Sequence, residues 1–273
     1  MYTLEMLCKD IRMPEEVTGK VLAVASALDM ERVGPGMKML RQQENWEQGQ
    51  EALKAAFGED PHGFQMLTCM LLAALECRAD YETWGLSHEI YVETMACFSR
   101  FVNEHMTSFG CWGFDRGFWT VRQVSGKIFR IGQLEYEMTV EQGQKVISIH
   151  IPSDASLALP GLRKSWEEAK VLLNRIAPEY AGGPWICGSW LLSPNLKDFL
   201  PEDSRILGFQ RNFTIMQQWQ DEDFKEWLYG RVDISNEDLP EKTLLQRKVK
   251  QFLLGGGAFL SAGGVLSEDP FLG

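Results

Sequence analysis

Residues 129–152 read FRIGQLEYEMTVEQGQKVISIHIP, two alternating runs joined at Gln142-Gly143. Side chains of a strand alternate between faces, and a two-residue loop fixes which residues lie opposite one another. A tight turn at Gln142-Gly143 therefore sets Leu134, Tyr136 and Met138 across from Ile151, Ile149 and Ile147, which makes one face core. The other face carries Glu135 opposite His150 and Glu137 opposite Ser148. A carboxylate beside an imidazole at cross-strand distance is equipped for proton chemistry, and ordinary pairing of opposite charges on a half-exposed sheet is its plain structural counterpart.

Upstream of this hairpin the chain reads as helix. Residues 14–29 open with Pro14 and two glutamates and repeat Val17, Val21, Val24 and Leu28 at helical spacing, until Gly34-Pro35-Gly36 is expected to interrupt the run. A helix over 46–57 follows, then a very apolar one started by Asp60-Pro61, then one from Ser87 to about Met106. Residues 1–110 thus form a helical domain. From 111 to 273 the pattern predicts a sheet domain, with strands at 118–124, 127–140 and 145–151 forming a meander. Downstream come a helix from Leu162 to the Gly182-Gly183-Pro184 break, a strand over 185–192, a strand region over 205–216, helices over 221–229 and 240–254, and a short glycine-bent strand in GGGAFLSAGGVL. The fold class is α+β.

Composition narrows the function. The 273 residues are 45% hydrophobic with nine Trp and fifteen Phe, ample for one large core or two smaller ones. A net charge of -11 argues against nucleic acid or an anionic membrane as partner, because such binding draws on Lys and Arg. The N-terminal residues lack a basic start and a long apolar run, so a cytoplasmic protein with no membrane span is expected. Six scattered cysteines without C-x-x-C spacing and four histidines far apart in sequence predict no metal site. Gly255-Gly256-Gly257 lacks a following Gly-Lys-Ser/Thr and reads as a helix end rather than a phosphate loop.

The order meander, crossover helix, strand allows the Trp185 strand to pair in parallel with the strand ending at Ile151. It resembles the GNAT-type acyltransferase fold, and RIGQLEYEM, ISIHIPSDASL, CGSWLLSP and SRILGFQRNF resemble a bacterial group of acyltransferase-domain proteins with a helical N-terminal and a GNAT-like C-terminal domain. The resemblance implies an N-acyltransferase that uses acyl-CoA as co-substrate, a small-molecule donor and an amine acceptor, and no metal. A GNAT-like module that binds without catalysis is the alternative, since the usual phosphate-loop pattern of the fold is absent between Ser153 and Arg163. The likeness further implies that Ile151, Ser153, Gly161, Arg163 and Lys164 meet the CoA pyrophosphate at the start of the crossover helix. His150 is then the base, oriented by Glu135, and Ser189 donates to the leaving thiolate. Glu137, Cys187, Arg205 and Gln210 are candidate substrate contacts, although a buried structural thiol is the preferred reading of Cys187.

Overall fold

The computed structural model describes residues 2–272, so the outermost residue at each end of the expected 1–110 and 111–273 regions lies outside it. The chain packs as two units, one up to Arg130 and one from Ile131 onward.

The first unit is helical: α1 (Leu4–Asp10), α2 (Glu15–Ala27), α3 (Met30–Leu40), α4 (Trp46–Phe57), α5 (Phe64–Thr83), α6 (His88–Met95), α7 (Cys97–Phe109) and α8 (Gly117–Val124). Helix α5 is apolar around most of its circumference and buries Leu67, Cys69, Met70, Leu71, Ala74 and Cys77, as expected of a central helix. Asp60 serves its first turn from outside, its carboxylate accepting from the Gln65 and Met66 N–H groups after a turn at 61–63. The expected interruption at Gly34-Pro35-Gly36 does not occur, and α3 runs through it, capped by Asp29. The glycines serve a helix contact instead. A Cβ on Gly36 would lie 3.1 Å from the Gly49 carbonyl oxygen, and one on Gly49 would lie 2.9 Å from that of Gly36, so α3 and α4 touch backbone to backbone.

Residues 118–124 are also helical, not the expected strand. Phe118, Trp119, Thr120, Val121 and Val124 have the side chains of a strand, but Gly117, Thr120, Val121 and Val124 are buried at helical spacing. Helix α8 packs on α5, with Thr120 Oγ1 2.9 Å from Met70 Sδ. Tertiary burial overrides local propensity here.

The meander begins one element later, because 127–140 is two strands. Strand β1 (Ile128–Ile131) turns at Gly132, where φ is +62°, into β2 (Leu134–Glu141). Strand β3 (Gln144–His150) follows a two-residue turn with both Gln142 and Gly143 at positive φ, the geometry that matches strand twist. The register is Glu135 with His150, Tyr136 with Ile149, Glu137 with Ser148 and Met138 with Ile147, as the sequence predicts.

Helix α9 (Leu159–Ile176) crosses over the apolar face of this hairpin, burying Leu162, Ser165, Trp166, Ala169 and Leu173. Tyr136 Oη and Ser165 Oγ are 2.8 Å apart beneath it. Strand β4 (Trp185–Ser189) then joins β3 in parallel. Next come α10 (Leu196–Phe199), α11 (Arg205–Gln210), β5 (Phe213–Gln220), α12 (Asp223–Tyr229), α13 (Leu244–Leu254) and β6 (Leu260–Leu266), and the sheet order is β1-β2-β3-β4-β6-β5. The expected strand over 205–216 is thus a helix followed by a strand. Ser204 caps that helix at Ile206 N–H, and the Asn212 amide donates to the Gly208 carbonyl at its other end. Strand β5 is the outer strand, mostly exposed, and carries a bulge between Ile215 and Gln217. A second core of Leu196, Phe199, Leu207, Phe224, Leu239, Val249, Leu253 and Phe259 forms among α10 to α13.

Candidate functional site

The parallel ladder between β3 and β4 consists of two residue pairs, Ile147 with Trp185 and Ser148 with Ile186. Beyond them the strands run on, to His150 on one side and Ser189 on the other, without further pairing. A parallel pair that stops while both strands continue leaves a wedge between them, with main-chain groups facing the opening. His150 lies two residues past the last pair, about 7 Å along the strand.

Glu135, Glu137 and His150 share the sheet face away from α9. Glu135 is 2% and Glu137 7% exposed. His150 Nε2 lies 2.8 Å from Glu137 Oε2, so the imidazole meets the carboxylate on the diagonal. The expected orienting partner was Glu135, directly opposite, with Glu137 a substrate contact; the bonded carboxylate is instead that of Glu137. The diagonal neighbour is within reach of a long side chain, and that geometry was readable in the register. An ionised carboxylate only accepts, so with Glu137 ionised the hydrogen of this bond comes from Nε2.

Strand alternation sends Ser189 elsewhere. Trp185, Cys187 and Ser189 point to the α9 side, where the Trp185 ring meets Trp166 at 6.4 Å and Tyr136 at 5.5 Å. Ser189 and His150 therefore flank the wedge from opposite faces. Ser189 Oγ accepts from the Leu191 N–H at 3.1 Å, which leaves its O–H to donate.

On the His150 face, β4 contributes Gly188, exposed and bare. A Cβ there would sit 3.4 Å from the Trp219 ring. Neither Gly188 nor Trp219 stood out in the sequence, because their proximity depends on β6 lying between β4 and β5.

Cys187 is 1% exposed, and burial pushes its thiol up to about 12. It is protonated at neutral pH and closed to substrate, so it packs instead of reacting. Cys187→Ala should keep turnover within about threefold, because losing a buried thiol that takes no part costs packing only. Native protein treated with iodoacetamide should be modified at the exposed Cys111 and spared at Cys187, as read by peptide mass mapping. Alkylation of Cys187 in folded protein would reverse this reading.

The loop into α9 is tethered: Gln133 Oε1 accepts from Ser156 N–H at 2.7 Å, and Ser156 Oγ from Ala158 N–H. Ile151 is half-buried, Ser153 is exposed, and Gly161 lies in the first turn of α9, whose N-cap residue Ala158 offers no side-chain acceptor. Arg163 is held by carboxylates: its Nε donates to Glu167 at 2.6 Å, and Nη1 bonds Asp269 and the Pro270 carbonyl. Lys164 is exposed, 3.7 Å from Glu168. Gln210 is committed to the backbone, donating to the Leu191 and Ser193 carbonyls at 2.8 and 2.9 Å, and Arg205 is exposed at the start of α11. Gln210 is the last residue of α11 and not part of the strand expected over 205–216. Among the described residues no group of three or more His, Cys, Asp or Glu could hold a metal ion, and no helix is long and apolar enough to cross a membrane.

Comparison with solved structures finds the same fold in acyltransferases. One in complex with decanoyl-CoA and teicoplanin superposes with a TM-score of 0.80 at 21% identity, over 95% of this chain and 86% of the other. One in complex with decanoyl-CoA gives 0.79 at 22% identity, over 95% and 86%. One in complex with CoA and 10C-teicoplanin gives 0.80 at 20% identity, over 96% and 86%. No curated protein sequence matches the chain. Two family models divide it between them: an N-acyltransferase N-terminal domain matches residues 2–126, and a GNAT-like C-terminal domain matches residues 128–266. The chain belongs to the N-acyltransferase family in which that N-terminal domain precedes a GNAT-like C-terminal domain.

Proposed function

We propose that the protein transfers an acyl group from an acyl-CoA to an amine, with the thioester held in the wedge between β3 and β4. The observation that carries this reading is the two-pair ladder, with His150 standing at the lip it opens. Family membership supports the reaction class, and the decanoyl-CoA held by acyltransferases of like fold supports a thioester donor.

In this reading the amine approaches from the His150 face. Its nitrogen attacks the thioester carbon, a C–N bond forms, the C–S bond breaks, and the CoA thiolate departs. The proton lost by the amine passes to His150, directly or through water, while Glu137 holds the ring. Ser189, on the α9 side, supplies its O–H to the departing sulfur. The pyrophosphate rests against the first turn of α9, near Ile151, Ser153 and Gly161, where the positive end of an eighteen-residue helix favours an anion. Lys164 stands outside that turn, whereas Arg163 is already matched by Asp269 and Glu167. That engagement motivates a second reading, a GNAT-like module that binds without transferring.

Calorimetric titration with acetyl-CoA and decanoyl-CoA, followed by a thiol-release assay with amine acceptors, separates the two. Saturable binding with amine-dependent thiol release is expected, and Gly188→Leu should weaken binding about tenfold or more by filling the bare lip. Binding without thiol release would favour the second reading. Absence of binding to either thioester would exclude the donor proposed here.

A further inference from the structure

A cavity of about 680 Å³ opens at the other end of β3 and β4, between the second half of α9, the 177–185 segment and residues 265–268. Trp185, which lines it, begins β4, and Ser189 at the wedge lies four residues on, about 13 Å along the strand. The paired residues of the ladder stand between the two openings. The volume falls in the range of small-molecule sites, about 300–1,000 Å³.

Its chemistry is specific. Ile147, Leu173, Ala177 and the indoles of Trp166 and Trp185 give it an apolar and aromatic wall. Trp166 is 7% exposed, and its Nε1–H is buried without an acceptor. One helical turn on, the Lys170 ammonium lies 4.9 Å from the centre of the Trp166 ring, with no carboxylate paired to it among the described residues. Arg163, whose guanidinium lies 5.1 Å from the centre of the same ring, is neutralised by Glu167 and Asp269, so of the two cations Lys170 is the one that remains to bind an anion. Glu268 also lines the cavity and disfavours a doubly charged ligand.

From these observations we propose that the cavity is a second ligand site, separate from the wedge, that takes a monocarboxylate with an apolar or aromatic body. The carboxylate meets Lys170, and the body lies against Trp166, Trp185, Leu173 and Ile147. The site needs no acyl transfer and stands independently of the proposed reaction.

Intrinsic tryptophan fluorescence tests it, since two indoles wall the cavity. Titration of the full chain with decanoate and with phenylacetate should give saturable quenching for at least one, and inorganic phosphate should give none. Lys170→Met, a change at an exposed position, should weaken that binding about tenfold or more, the scale of a hydrogen bond to a charged group. His150→Ala should leave it unchanged. No saturation with either acid, or an affinity indifferent to Lys170→Met, would overturn the proposal. Loss of binding in His150→Ala, or displacement by excess CoA, would put the carboxylate in the donor wedge and overturn it equally.

Discussion

His150→Ala is expected to lower amine-dependent thiol release by about 10²- to 10⁴-fold, the usual loss when one positioned general base is removed. The expectation follows from where the imidazole stands. It lies beyond the last paired residue of β3, so it borders the opening, and its Nε2 is fixed 2.8 Å from the Glu137 carboxylate. An amine attacking the thioester must shed a proton as the C–N bond forms, and a ring already held by a neighbour loses little freedom in receiving it. His150 is half-buried at the end of its strand, so the alanine variant should keep its circular dichroism spectrum and its affinity for acyl-CoA. Glu137→Gln supplies the finer test, because an amide can donate where the carboxylate only accepts and so can select the other ring tautomer. It should reduce kcat more than KM and shift the pH profile. Unchanged turnover in His150→Ala would remove the base from the mechanism.

Phe259→Ala should cost about 3–5 kcal/mol of unfolding free energy, the range for emptying a large aromatic from a core. Phe259 is 1% exposed and stacks on Phe224 with ring centres 4.5 Å apart and on Phe199 at 6.5 Å. Leu196, Leu239 and Val249 belong to the same buried cluster. The residue immediately precedes β6, the strand joining β4 to β5, so the vacancy would loosen the support of one wall of the wedge. Urea unfolding followed by tryptophan fluorescence should show a lower midpoint, with Phe259→Leu in between. A loss below about 1 kcal/mol would mean that the site collapses around the smaller side chain.

The hairpin was legible because its signal is short-range: alternation and a Gln-Gly turn fix the register without help from the rest of the chain. The same holds for the parallel entry of β4, which follows from one helix placed between two strands. What escaped depended on partners distant in sequence. Helix α8 has strand-forming side chains and is helical because α5 supplies a surface for Thr120, Val121 and Val124. The run 205–212 looked extended, yet Ser204 and Asn212 cap a helix whose Gln210 fastens the Leu191 and Ser193 carbonyls. At the site, the facing pair Glu135 and His150 was readable, whereas the choice of Glu137 as the hydrogen-bonding carboxylate depends on side-chain reach along the diagonal. Opposite faces for His150 and Ser189 follow from alternation once the register of β4 on β3 is known, and sequence alone gives the direction of that pairing but not its register.

The bulge in β5 bears on solubility. The strand from Phe213 to Gln220 contains no charged residue and no proline, the two common guards against edge-to-edge association of sheets, and it exposes Ile215, Met216 and Trp219. A neighbouring molecule would need evenly spaced donors and acceptors to extend such a sheet. Where Met216 falls out of step between Ile215 and Gln217, that spacing is broken midway, and the distortion does the work that a lysine does elsewhere: it keeps the rim from acting as a template for aggregation.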